Sequence, residues 1–129
     1  MKRRTAREKA LQALFQIDVS NSEPSSAIEH VLDGEAGDEY LTGLVSGVVE
    51  NKAKIDGLIV ENLEKWSIDR LATVDRNLLR IAVYELMFLQ EEVPKNVILD
   101  EAIEIAKIYG DDQSSKFINA VLSKVKQNL

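Results

Sequence analysis

Apolar residues return every three or four positions along almost the whole of this 129-residue chain, with little to interrupt them. That spacing fits one face of a helix with about 3.6 residues per turn, whereas a half-buried strand needs strict alternation, which no segment sustains. Six glycines and two prolines, Pro24 and Pro94, leave few breaks. The expectation is an all-α fold of about seven helices. Ala10, Leu11, Leu14 and Phe15 mark the first, and Ile28, Val31 and Leu32 a short second. Leu41, Leu44, Val45 and Val48 mark the third, and Ile55, Leu58, Ile59 and Leu63 the fourth. Val74, Leu78, Ile81, Ala82, Leu86, Met87 and Leu89 stripe a long fifth. The sixth carries Ala102, Ile103, Ile105, Ala106 and Tyr109, and the seventh Phe117, Ile118, Val121, Leu122 and Val125.

The boundaries follow from capping chemistry. Thr5 with Glu8, and Ser26 with Glu29, have capping-box spacing, in which the hydroxyl takes an orphan amide and the acid returns to the cap amide. The stretch before Ser26, including Pro24, reads as a loop. Gly34 and Gly37 punctuate, Thr73 is placed to cap the fifth helix, and Pro94 suits a loop or first helical turn. Gly110 is expected just past the sixth helix in the left-handed position. Asn51 marks either a bend or a junction. A turn around Trp66 divides four helices from three, giving two small packed bundles, roughly 1–64 and 65–129, in one domain and one cooperative unit. Gly43 and Gly47 are read as permitting close helix approach. Trp66, Tyr40, Tyr84 and Phe88 are read as core.

Little in the chain supports catalysis. Without cysteine there is neither a disulfide nor a thiolate metal site. His30 is the only histidine, and it reads as a solvated helix residue. No phosphate-cradling glycine loop occurs, and Ser46 between Gly43 and Gly47 has no histidine to activate it. The acids Glu91, Glu92, Asp100, Glu101, Glu104, Asp111 and Asp112 sit on solvated faces or near helix starts. No enzyme activity, metal or cofactor is expected. No apolar run approaches the ~18 residues of a membrane span, and the basic start lacks the apolar core of a signal peptide, so a cytoplasmic protein is expected.

Charge is distributed unevenly. The chain carries a net −6, yet its first ten residues carry +4, leaving −10 for the rest. Lys2, Arg3, Arg4 and Arg7 cluster where cations oppose the helix dipole, so helix stability does not explain them. A polyanionic partner would; so would a frayed, solubilising terminus, and the residues alone leave both open. The second feature is YGDDQSSKFIN, residues 109–119, where a polar loop feeds a helix that opens with Lys116 and Phe117. Lysine beside an aromatic suits phosphate neutralisation and base stacking, although the stripe by itself makes Phe117 a core residue.

The stretches VDRNLLRIAVYEL and VPKNVILDEAIEIAKIYGDDQSSKFINAVLSKV, together with the opening RRTAREKALQALFQ, resemble the NusB family of bacterial transcription antitermination factors. The resemblance spans nearly the whole chain and is most specific over residues 74–126. It implies two three-helix-like bundles and binding of single-stranded boxA RNA from ribosomal RNA operons. The ribosomal protein that acts as NusE is the implied heterodimer partner, with NusA, NusG and RNA polymerase in a larger complex. By motif, it places Lys2, Arg3, Arg4, Arg7, Phe15, Asp75, Arg80, Gln113, Lys116 and Phe117 at the RNA side. The family often has an acid where Gln113 stands, so a neutral residue there implies stronger RNA binding.

An acidic body with one basic face suits that reading, since its acids oppose indiscriminate RNA binding. The NusE surface is expected in the C-terminal half, near the fifth helix and its following loop. A homodimer of the free protein is a further expectation. Two other readings stand beside it: the RNA-positioning module of an RNA cytosine methyltransferase, disfavoured because no catalytic domain follows Leu129, and a structural helical dimer with an inert arm.

Overall fold

A computed structural model describes residues 1–64 and 67–129. Seven α-helices follow in order: α1 (Arg3–Ser20), α2 (Pro24–Leu32), α3 (Glu39–Glu50), α4 (Lys52–Glu61), α5 (Thr73–Phe88), α6 (Lys95–Tyr109) and α7 (Ser114–Asn128). A single 3-10 turn, Ile68–Arg70, lies between α4 and α5, and no strand occurs among the described residues. Trp66, expected in the core at the division between halves, lies outside the described residues.

Helix identity matches the apolar spacing, but the caps do not. Helix α1 begins two residues before Thr5, with Lys2 at the cap position and no side-chain cap bond. Helix α2 begins at Pro24, so Ser26 sits inside the first turn. Proline costs nothing there, because the first helical amide has no partner to lose. Thr73 is the first residue of α5 rather than its cap. Among the described residues only Asp38 caps as a side chain, its Oδ2 accepting the Leu41 amide at 3.0 Å. Helices α3 and α4 are separated by Asn51 alone, whose side-chain amide donates to the Gly47 carbonyl at 2.8 Å.

Helix α5 is the axis of the molecule, packing against α1, α3, α4, α6 and α7. Ten of its sixteen residues are buried, including Asp75, Asn77, Arg80 and Glu85, so it has no continuous polar face. Helices α2 and α3 flank α1 on one side, and α6 and α7 pair on the other, with α4 lying against α3, α5 and α7. One apolar cluster, including Leu11, Leu44, Ile59, Leu79, Ile105 and Leu122, runs through both sides.

Gly47 makes one close crossing possible: a Cβ there would overlap the Tyr84 ring, whereas Gly43 faces open space. Gly110 is needed for a different reason than expected. Its φ is −90°, not left-handed, but a Cβ would collide with the Ser114 side chain. Phe88, expected in the core, is exposed, while Tyr40 and Tyr84 are half-buried.

Candidate nucleic-acid interface

The basic arm is not free. Lys2 and Arg3 are exposed, and the Arg3 guanidinium lies 4.7 Å from the centre of the Tyr40 ring, within cation–π range. Arg4 makes a two-pronged contact with Glu101 of α6, Nε to Oε1 at 2.8 Å and Nη2 to Oε2 at 2.6 Å. The Met1 ammonium stands 3.8 Å from Asp38.

Arg7 departs from expectation. It is only 3% exposed, with Nε donating to both Glu85 oxygens at 3.0 and 3.1 Å and Nη1 to Glu101 at 3.3 Å. The Tyr40 hydroxyl also donates to Glu85. Arg7 shares a helix face with Arg3 and Arg4 but lies one turn further in, where Glu85 of α5 and Glu101 of α6 cover it, so a surface phosphate cannot reach it. Burial pushes the Glu85 carboxyl above its ordinary range, and the Arg7 charge and hydrogen bonds draw it only partly back. Burial, reinforced by the hydrogen bond to Glu85, also raises Tyr40. At Glu101 the hydrogen bond from Arg4 outweighs burial and holds the carboxyl below its usual range.

The two polar residues expected on the RNA side of α5 are also interior. Arg80 is 5% exposed and grips Asp56 with Nε at 2.8 Å and Nη2 at 3.0 Å, while Nη1 reaches Asp18 at 3.3 Å. Nη1 also donates to the Asn77 side-chain oxygen at 3.1 Å, so four hydrogen bonds within the chain hold the buried guanidinium away from RNA. Asp75 is buried beneath the start of α7, and its Oδ1 has no partner. Burial and then the nearby Asp111 charge push it up, against a pull from the Ser114 hydroxyl.

At the other end of α1 the picture is an open one. Phe15 and Tyr109 line one apolar groove of about 300 Å³ together with Leu11, Gln12, Gln16 and Val74. Both aromatics are exposed by more than a third, Phe15 at 39% and Tyr109 at 37%. The loop after Tyr109 is braced internally: the Asp111 amide donates to Ser114 Oγ at 3.0 Å, and the Gln113 amide to Asp111 Oδ1 at 2.8 Å. Gln113 and Lys116 are exposed, and Lys116 has no carboxylate partner among the described residues. Phe117 is half-buried against the core and lines a separate groove with Leu63, Ala120 and Lys124. The structure therefore joins Phe15 to the end of α6 but does not bring Phe117 to the same groove.

Tyr109, expected on the apolar stripe of the sixth helix, is 37% exposed. From Ile105, steps of three and four land on Ile108 and Tyr109, and both are exposed because α6 runs past the edge of the core. The stripe signals a core only while a neighbouring helix remains beside it. Glu101, expected on a solvated face, instead has the basic arm as its partner. No sequence pattern pairs residues 97 positions apart.

Comparison with known proteins adds the following. The model of the NusB family matches residues 4–127. The transcription antitermination protein NusB of Bacillus licheniformis is 57% identical over 129 residues, covering 100% of this chain and 99% of that protein. Its namesake in Bacillus velezensis is 55% identical, covering 100% and 98%. Among solved structures, T. maritima NusB superposes with a TM-score of 0.90 at 40% identity, covering 98% of this chain and 92% of that one. A chain in a crystal structure of antitermination factors NusB and NusE in complex with double-stranded RNA gives 0.89 at 31% identity, covering 98% and 97%.

Proposed function

The chain belongs to the NusB family, and on that premise we propose that it binds the boxA element of ribosomal RNA operon transcripts together with NusE. It is a transcription antitermination factor, an RNA-binding regulator rather than an enzyme. In this reading RNA lies along the exposed edge of α1. Lys2, Arg3 and Arg4 meet phosphates at one end, while Phe15 and Tyr109 receive unstacked bases at the other, about 20 Å away by helical rise. Gln113 and Lys116 extend that surface, and Phe117 contributes at its margin. Arg7, Arg80 and Asp75 act from beneath, as supports of the helices that carry it.

The observation that carries this reading is the pairing of Phe15 with Tyr109 in one apolar, solvent-open groove. Two exposed aromatics facing one groove are a stacking platform rather than a core. Few free cations accompany them, so binding by the chain alone is weak and salt-sensitive, and a partner that adds contacts is required. NusE fills that role and docks on the C-terminal half, near α5 and the loop after it. NusA, NusG and RNA polymerase complete the assembly, in the cytoplasm, and the free protein pairs with itself through surfaces that NusE covers. Residues 1–129 fold as one unit, a reading supported by the single apolar cluster.

Fluorescence anisotropy with labelled boxA RNA, a scrambled RNA of equal composition and a duplex of the same sequence tests the reading, each with and without NusE. Selective binding of single-stranded boxA, sharpened by NusE, is expected. Phe15→Ala or Tyr109→Ala should cost about 1–3 kcal/mol of that binding. Equal affinity for all three RNAs, or no binding with NusE present, overturns it. A preference for the duplex would move recognition from unstacked bases to backbone shape.

A further inference from the structure

Part of the arm that should attract RNA, Arg4 with Arg7, is already occupied by the protein's own carboxylates. We propose that Glu101 acts as an internal phosphate mimic, holding the Arg4 fork in the free protein and requiring RNA to displace it. This rests on the reading that the arm meets RNA, and it adds a residue that sets how selectively it does so. Glu101 meets the Arg4 fork with both oxygens, at 2.8 and 2.6 Å, which is the geometry a phosphate would use. The pair lies at the surface, with the Arg4 side chain 39% and that of Glu101 20% exposed, so the fork can be exchanged without unfolding. Arg7 anchors Glu101 from the buried side at 3.3 Å, and Arg7 is itself fixed by Glu85. The carboxylate is thus held in place while Arg4, on its exposed side, can leave.

Of the arm's cations, only Lys2 and Arg3 then stand without a carboxylate among the described residues, and Arg3 rests on Tyr40. A random RNA gains little by displacing Glu101, whereas an RNA that also fills the aromatic groove gains enough. Glu101 would therefore suppress weak, unselective binding more than selective binding.

The test is Glu101→Gln, which removes the charge and keeps an acceptor for Arg7. Anisotropy titrations with boxA and scrambled RNA at several salt concentrations, in the presence of NusE, should show about two- to five-fold tighter binding of scrambled RNA, from releasing one surface ion pair. The salt slope should steepen by about 0.7, the value for one added phosphate contact on a single strand. Both changes should vanish in the Glu101→Gln, Arg4→Gln double variant, and thermal unfolding should confirm that each variant is folded. Unchanged or weaker RNA binding by Glu101→Gln overturns the proposal, because Glu101 would then only be holding the arm in place. If Lys2→Gln and Arg3→Gln also leave boxA binding unaltered, the arm itself does not meet RNA and the underlying reading fails instead.

Discussion

Two charged stations tie α1 to α5, and their polarity is reversed. Near the start of α1, Arg7 is the cation and Glu85 of α5 the anion. Near its end, Asp18 is the anion and Arg76 and Arg80 of α5 the cations. The helices are therefore antiparallel, and sliding one past the other would bring unlike partners out of register at both stations. The surroundings differ as well. Side chains at the Arg7–Glu85 station are 4% and 1% exposed, whereas Asp18 keeps 20%. The first station is a sealed pair, and the second is a shared carboxylate at the margin of a groove lined by Leu14, Val48, Asn77 and Arg80.

The two carboxyls are also shifted in opposite directions. Glu85 is raised, chiefly by desolvation. Asp18 is lowered: desolvation pushes it up, but hydrogen bonds from Arg76 and Asn77 and the charges of Arg76 and Arg80 together prevail. A sealed ion pair thus fixes register at some cost in desolvation, while a half-open one retains most of its Coulomb gain.

The strongest way to break the comparison is Arg7→Met, which leaves Glu85 buried without its cation. A loss of about 3–5 kcal/mol in denaturant unfolding is expected, and part of it should return at acidic pH as Glu85 takes a proton. Arg80→Met should cost less, about 1–3 kcal/mol by the same measurement, because Asp18 keeps Arg76 and both of its acids reach solvent. If the two losses prove equal, burial does not distinguish the stations.

A smaller effect sharpens the contrast in sign. With a depressed folded value, Asp18 contributes stability that is present above about pH 4 and lost as pH falls through the folded value, so Asp18→Asn should flatten that acid loss. Glu85 has a raised folded value, so the native state holds its proton longer. Stability then falls as pH rises from about 4 toward that value, and Glu85→Gln should remove the fall. Both changes are read from unfolding curves between pH 3 and 7, where the two variants should alter the pH dependence with opposite sign. The smallest effect belongs to Arg4→Gln, at the exposed rim of the first station, with less than about 1 kcal/mol lost. A larger loss would place Arg4 in the scaffold rather than on the RNA surface.

The helices themselves were legible, because a stripe at three- and four-residue spacing has one satisfying conformation, and all seven stand where the stripes lie. Their first residues were less so. Thr5 and Ser26 have capping-box neighbours, but each helix begins upstream, where Pro24 loses no hydrogen bond and Arg3 extends the helix although its charge opposes the dipole. Part of the candidate site was legible as residue types: a cluster of cations, an aromatic in the first helix, a polar loop with lysine. Which of those cations face solvent was not. Arg3 and Arg4 point outward while Arg7, three and four residues on, points into α5, and Tyr109 shares Phe15's groove rather than the core.

The chain's order of apolar and polar residues settled on its own that this protein is helical, how many helices it has and in what order, and which family it resembles, because those are local or motif-level properties. The tertiary structure alone decided which charges are spent inside it. Arg7 with Glu85, Arg80 with Asp56, and Arg4 with Glu101 are separated by 78, 24 and 97 positions and meet only once α5 and α6 are packed. Periodicity can say that a residue lies on a face, but only the packed neighbour determines whether that face meets water, a carboxylate or a ligand.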